Sequence, residues 1–394
     1  MALFFLKKKI RILFFFKAFL ILFSYLIPAY AESEVVRIGL ANNFSEKTFQ
    51  QPNPYENDTL LGAKMAVENS KEKLRQRKIK IEFVKFDYGD NPVMVSEVTR
   101  QAVLSNVLAV VGYTTSGEAL LAAPVAHNGR LPILLHSATA NRLYHYNFYV
   151  HPLNFGNQHV GDLMAKAAVT EFQASKAVVV AMMNCAFCQD LASSFELAFT
   201  RVGGMVVKHL NVLDGLPNYR DPLAGLKNKD FEVMFVAAPM VESARIIRDT
   251  VRHGINTRFV GGDSWGYPSY RFFSILGDTA WEGRAVFFWH ENMSIPELKN
   301  YLHYFKKEYG YTSTSTIMLT YDAVMIIINA LLNSTGHMTR DDLEKYLQDL
   351  NRYDGVAGTY CLNNVLYDRK TAVIVKNQGD SFVIGNIIPP KCHK

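Results

Sequence analysis

Residues 107–140 read VLAVVGYTTSGEALLAAPVAHNGRLPILLHSATA. Two apolar runs, Val107–Val111 and Leu131–Leu135, each end in a cluster of small hydroxyl residues. The first cluster is Tyr113-Thr114-Thr115-Ser116-Gly117, and a helix-like stretch follows it. The second is His136-Ser137-Ala138-Thr139-Ala140. Short apolar runs bounded by turn residues predict buried strands. Each cluster then sits at the C-terminal end of a strand, where open α/β sheets bind ligands. Helix N–H groups and short hydroxyls at such a point suit a carboxylate or another small anion. The hydroxyls of the two clusters are therefore candidate ligand contacts, and no partner for nucleophilic chemistry lies beside them.

Outward from this stretch, strand-like and helix-like segments alternate. Val35–Leu40, Ile79–Phe86, Ala177–Met182, Met205–Asn211, Phe231–Ala238 and Arg258–Val260 read as strands. Asp58–Arg77, Pro92–Ser105 (with Asn91 as N-cap), Gly156–Phe172, Gln189–Val202 and Val241–His253 read as the helices between them. Such alternation predicts parallel sheets with helices on both faces. The last third differs. A strand at Ala285–Trp289 precedes helices at Ser294–Tyr309, Thr316–Leu332 and Arg340–Leu350, and the end (Thr371–Lys376, Ser381–Ile388) is β-like. The expectation is two doubly wound α/β lobes whose chain crosses between them near His151–Asn157, Gly283–Ala285 and Asp354–Tyr360. Lobe 1 would hold 32–152 plus 285–356, and lobe 2 would hold 153–284 plus 357–394.

The N-terminus reads as a secretory leader. Lys7, Lys8, Lys9 and Arg11 precede a short apolar run (Ala18–Ile27), Pro28 breaks it, and Ala29-Tyr30-Ala31 is a small-x-small cleavage signal before Glu32. The rival, an uncleaved anchor, meets Lys17 inside an apolar stretch too short to span a bilayer comfortably. Taking the leader's five basic residues from the chain's 42 leaves 37 against 36 acids, so a mature chain would be nearly neutral. The basic charge belongs to the leader and gives no support for nucleic-acid binding.

Four cysteines in an exported chain suggest two disulfides. Cys361 and Cys392 flank the β-like tail and would staple it. Cys185 and Cys188 form Cys-Ala-Phe-Cys. That motif reads as a redox pair, as a local structural disulfide, or as two separate thiols.

The order of several segments resembles a known family. VVRIGLA at the first strand, TLLGAKMAVE, KFDYGDNPVMVSEVTRQAV, the two hydroxyl clusters, FEVMFVAAPMVESARIIRDTVRHG, RFVGGDSWG and TYDAVMIIINALL follow one another from Val35 to about Asp368. Together they resemble the type I periplasmic solute-binding proteins, in the branch of the leucine/isoleucine/valine-binding components of ABC importers. The resemblance implies two lobes closing on a small ligand, no cofactor, a monomer, periplasmic localisation, and an ABC permease as partner. It implies that Ser116, Ser137 and Thr139 hold an amino acid's carboxylate, and that Asp263 in the other lobe holds its ammonium. Neutral donors suit a carboxylate and one buried acid suits an ammonium. Phe187 stands where the family usually has a tyrosine, and the loop after the first strand is longer, with Tyr55 a candidate to reach the cleft. Phe187, Trp265, Tyr267 and Tyr270 would line an apolar pocket.

Three other readings compete. Gly262-Asp263-Ser264-Trp265-Gly266 fits the G-x-S-x-G of a hydrolase, with Asp322 and His337 in the required chain order. A nucleophile elbow needs a helix directly after its serine, and Pro268 disfavours one. A ligand sensor acting with a membrane receptor would share the fold, and four Asn-x-Ser/Thr sequons are compatible with it. His127, His136, His145, His151 and His290 fit no metal-ligand spacing.

Overall fold

The computed structural model describes residues 33–44, 57–266, 269–363 and 367–392. The expected leader and its cleavage site, Tyr55 and Tyr267 lie outside the described residues.

The first lobe is built on a five-stranded sheet of order β2-β1-β3-β4-β5, parallel throughout. Its elements are β1 (Glu34–Asn42), α1 (Asp58–Gln76), β2 (Ile79–Asp87), α2 (Pro92–Leu104), β3 (Ala109–Gly112), α3 (Ser116–Asn128), β4 (Ile133–Leu135) and β5 (Val150–Pro152). A short 3₁₀ turn, Asn141–His145, links β4 to β5. The helix starts follow capping chemistry. Asn57 accepts from Thr59 N and Asn91 accepts from Val93 N, each satisfying a first-turn N–H that has no partner inside its helix.

The second lobe contains α4 (Asn157–Phe172), β6 (Lys176–Met182), α5 (Ala186–Arg201), β7 (Met205–Val212), the short α6 (Arg220–Leu223), β8 (Val233–Ala237), α7 (Met240–Arg252), β9 (Arg258–Gly261), α8 (Tyr270–Leu276) and β10 (Gly283–Phe287). The sheet runs β14-β13-β10-β9-β8-β6-β7. Five strands are parallel, and β13 (Ala372–Gln378) and β14 (Ser381–Ile388) close one edge as an antiparallel pair. Strand β10 pairs with both β9 and β13. The crossing expected at 283–285 therefore falls after Phe287, and the lobe boundary expected at residue 285 moves with it.

The chain then forms α9 (Pro296–Tyr309), α10 (Ser315–Asn333) and α11 (Arg340–Asp349) before the hairpin β11–β12 (Tyr353–Gly355, Gly358–Tyr360). Helix α10 has the length and apolar character of a membrane span, with mean hydropathy 1.7, but 72% of it is buried inside the protein. It packs along α1 as a core helix of the first lobe. Its Asp322 accepts from Val356 N, Ala357 N and the Tyr360 hydroxyl. That carboxylate anchors the hairpin leading into the last crossing. Fully buried Lys370, on that crossing, donates to Phe288 O and Ala357 O, joining it to the crossing after β10.

The four cysteines form two disulfides, which decides the open reading of Cys185 and Cys188 in favour of a local bond. Cys361 joins Cys392 with Cα atoms 5.2 Å apart, and Cys185 joins Cys188 at 5.1 Å.

Candidate functional site

The first-lobe side of the site is made where β3 and β4 end. Thr115 caps α3: Glu118 N donates to its hydroxyl at 3.3 Å, and Thr115 N donates to the Glu118 carboxylate at 2.9 Å. This reciprocal capping box fixes where the helix begins. Thr115 thus serves the helix start.

Ser116 is the first residue of α3 and is buried. Its hydroxyl oxygen accepts from Thr139 N at 3.2 Å and Ala140 N at 3.1 Å. One side chain therefore sews the second hydroxyl cluster to the first. A serine that accepts twice still has its proton to donate. Ala138 and Thr139 are buried beside it, and Ser137 is half-buried with its hydroxyl 2.7 Å from His136 Nδ1. His136 is fully buried, and burial pushes its imidazole down to about 4, so it is neutral. Ser116 thus joins the two hydroxyl clusters directly.

The second-lobe side is the turn after β9. Asp263, Ser264 and Trp265 form a single 3₁₀ turn. The Asp263 residue is partly exposed, but its Oδ1 is sealed from solvent and has no hydrogen-bond partner. Burial pushes this carboxyl up to about 7, against a backbone hydrogen bond that lowers it. Ionised without a donor, such a group is expensive to bury. Ser264 Oγ donates to Ala238 O at 2.7 Å, tying the turn to the end of β8. It does not sit before a helix, and the other members of the proposed triad are engaged elsewhere. Asp322 grips the β11–β12 hairpin, and exposed His337 bonds Glu34.

Trp265 is fully buried among Phe272, Trp281 and Phe382. Its ring holds the turn from the core side, under the β9 backbone. Tyr270 is an exposed residue at the start of α8. Phe187 lies in the first turn of α5, between the bonded cysteines, and its carbonyl accepts from Asn157 Nδ2 at 3.4 Å.

The lobes meet at Tyr144, in the first lobe's 3₁₀ turn. Its phenol is raised by burial first, with the Arg369 guanidinium opposing and the carboxylates of Asp263 and Asp190 adding. The Arg369 guanidinium stacks 4.9 Å over the same ring. Both second-lobe acids therefore lie within electrostatic reach of a first-lobe side chain.

Asp190 and Asn157 had no signal in the sequence beyond being polar residues near helix starts. Asp190, on α5, accepts from Asn141 N at 2.9 Å and from Asn157 Nδ2 at 2.7 Å. It thus joins the two lobes. Among the described residues no group of three potential metal ligands gathers. The histidines noted in the sequence take other partners: His127 meets Phe148 O, His145 the Tyr367 hydroxyl, His151 Glu344 and His290 Phe382 O.

A family model described as periplasmic binding protein matches residues 35–365. The chain belongs to this family. Solved structures agree in fold. The leucine-binding protein LivK of Thermotoga maritima superposes with TM-score 0.77 at 19% identity, covering 91% of this chain and 99% of its own. LivJ of Streptococcus pneumoniae, in complex with isoleucine, gives 0.77 at 21% identity, with 91% and 100% covered. A solute-binding protein of Rhodopseudomonas palustris, in complex with benzoate, gives 0.74 at 17% identity, with 90% and 97% covered. No curated protein sequence matches the chain. As a periplasmic binding protein, the chain carries its two hydroxyl clusters at the sheet of one lobe and Asp263 at the sheet of the other.

Proposed function

We propose that this binding protein captures an α-amino acid between its lobes and hands it to an ABC permease after export to the periplasm. The hydroxyl clusters, with the first-turn N–H groups of α3, would take the carboxylate. Asp263 would take the ammonium. Leucine, isoleucine and benzoate occur in solved relatives, and all three carry a carboxylate, so the first lobe alone does not discriminate. The observation that carries the choice is Asp263 Oδ1, a buried acceptor without a donor. An ammonium supplies a donor and a charge there, whereas benzoate would leave the acid unpaired.

Calorimetry with the mature protein, the standard amino acids and benzoate tests the reading. At least one amino acid binds, and Asp263→Ala abolishes that binding without unfolding the protein. Tight benzoate binding that survives Asp263→Ala would replace the amino-acid reading with an aromatic-acid one.

A further inference from the structure

We infer that Asn157 is a second acceptor for the ligand's ammonium, and that Asp190 is the positioning residue that turns it toward the ligand. The inference rests on the amino-acid reading above and adds a determinant of specificity to it.

Asn157 opens α4 and is fully buried. Every polar atom of the residue but one has a defined role. Its N–H donates to Thr139 O at 2.9 Å, so it is fastened to the carboxylate-binding loop. Its Nδ2 donates to Asp190 Oδ2 at 2.7 Å and leans toward Phe187 O at 3.4 Å. Its Oδ1 is buried and has no partner. The amide cannot turn over without placing oxygen against a carboxylate, so Asp190 decides which end is left over. The end left over is an acceptor.

A second unpartnered acceptor, Asp263 Oδ1, belongs to the same lobe. Gly262, the residue before Asp263, rests on α4 and α5. A Cβ added there would come 2.7 Å from Leu191 Cδ2 and 3.7 Å from Val160 Cγ1. Leu191 adjoins Asp190, and Val160 lies one helical turn beyond Asn157. The Asp263 turn and the Asn157 amide therefore belong to one wall of the second lobe. An ammonium brings three N–H donors, more than a single carboxylate oxygen takes. One charged and one neutral acceptor in the same wall suit a primary ammonium and disfavour an N-alkylated one.

Asp190 also accepts from Asn141 N at 2.9 Å and Asn141 Nδ2 at 3.3 Å, and Gln158 N donates to Asn141 Oδ1 at 2.8 Å. The same acid that orients Asn157 thus contacts the first lobe next to Thr139. In this arrangement, lobe closure and the aim of the Asn157 acceptor are set together.

The test is calorimetry on the mature wild type and on Asn157→Ala, Asn157→Ser, Asp190→Ala and Asp263→Ala. The probes are L-leucine, L-isoleucine, L-valine and N-methyl-L-leucine, and circular dichroism checks that each variant folds. Asn157→Ala should weaken the primary amino acids by roughly tenfold or more, the scale of one lost hydrogen bond to a charged group. Asn157→Ser, which keeps an acceptor, should lose less. Asp190→Ala should lose about as much as Asn157→Ala although Asn157 is still present, because its amide, with no acceptor left at 190, is then free to turn Nδ2 to the ligand. The wild type should prefer L-leucine to N-methyl-L-leucine, and Asn157→Ala should erase most of that preference. A folded Asn157→Ala that binds L-leucine as the wild type does, while Asp263→Ala does not, overturns this inference and leaves the amino-acid reading standing. If no standard amino acid binds the wild type, both fall together.

Discussion

Binding of an amino acid should weaken steeply as pH falls below 7, and the slope should belong to Asp263. In the absence of ligand its carboxyl is raised to about 7 by burial. An amino acid's ammonium needs the ionised form, so binding below this pKa must first expel a proton. In the limit, each pH unit below 7 costs a factor of ten, or about 1.36 kcal/mol. At pH 5 the affinity should stand about 100-fold below its plateau, about 2.7 kcal/mol, by the same relation. The groups beside the hydroxyl clusters stay silent across this window. The ligand keeps its ammonium and carboxylate charged, burial holds His136 neutral down to about 4, and the Tyr144 phenol is held protonated by burial and the two nearby acids.

Titration calorimetry at pH 5, 6, 7 and 8 in two buffers of different ionisation heat reads both consequences. The dissociation constant should rise below pH 7, and close to one proton should be released per ligand at pH 5. Asp263→Asn should bind far more weakly and show neither effect. A wild-type affinity that is flat from pH 8 to 5, or a slope that persists in Asp263→Asn, would refute the assignment of the ammonium to this acid.

The same shift has the opposite sign for folding. A carboxyl whose folded pKa lies above its unfolded value stabilises the folded state only while protonated, and that advantage is lost as pH rises from about 4 to about 7. Replacing the acid by Asn should raise the ligand-free unfolding free energy at pH 8 by an amount on the order of 2–4 kcal/mol, seen as a higher melting temperature. Ser116→Ala should destabilise the ligand-free protein by about 1–3 kcal/mol in denaturant titration, since Thr139 N and Ala140 N lose their acceptor, and should weaken binding as well. Ser264→Ala should cost about 1 kcal/mol of stability through its lost bond to Ala238 O, with ligand affinity unchanged within experimental scatter. Ester hydrolysis that disappears in this variant would bring back the nucleophile reading.

Most of the architecture was legible because burial and periodicity report it directly. Strands such as Ala109–Gly112 and Val233–Ala237 are wholly buried apolar runs, and Asn91 marks its helix start by composition alone. Elements stabilised by contacts distant in sequence were less legible. The β11–β12 hairpin is short and polar, and it is organised by Asp322 more than thirty residues earlier. Helix α5 begins three residues before its expected start, because Cys185 Sγ accepts from Cys188 N and takes the capping role that sequence rules assign to Ser, Thr, Asp or Asn. In the site, Ser116 and Thr139 are legible as hydroxyls at strand ends, and Asp263 through the family resemblance. The way Ser116 holds the second cluster, and the Asn141–Asp190–Asn157 chain across the lobes, depend on side-chain orientation that no periodicity encodes. Trp265 shows the converse: an aromatic next to a candidate site residue was read as pocket lining, and it packs into the core behind that residue.

The two sides of the cleft differ in what they cost when empty, and this difference bears on how closure is coupled to binding. Hydroxyls on the first lobe have neutral partners: Ser116 accepts from Thr139 N and Ala140 N, and Ser137 lies 2.7 Å from His136 Nδ1. They can wait for a carboxylate with little penalty. Asp263 cannot, because closing over it without a cation leaves an ionised oxygen unpaired. Its rise from 3.8 to about 7 corresponds to about 4 kcal/mol against the charged form, or roughly a thousandfold bias against the empty closed arrangement at pH 8 if an open arrangement lets water reach the acid. An ammonium removes that bias by pairing with the acid, so the ligand closes the lobes through its differential affinity for the closed form. Asp263→Asn should then make the ligand-free protein more compact at pH 8, with a smaller radius of gyration in solution scattering than the ligand-free wild type. Equal radii for the two ligand-free proteins would mean that the acid contributes to affinity without governing closure.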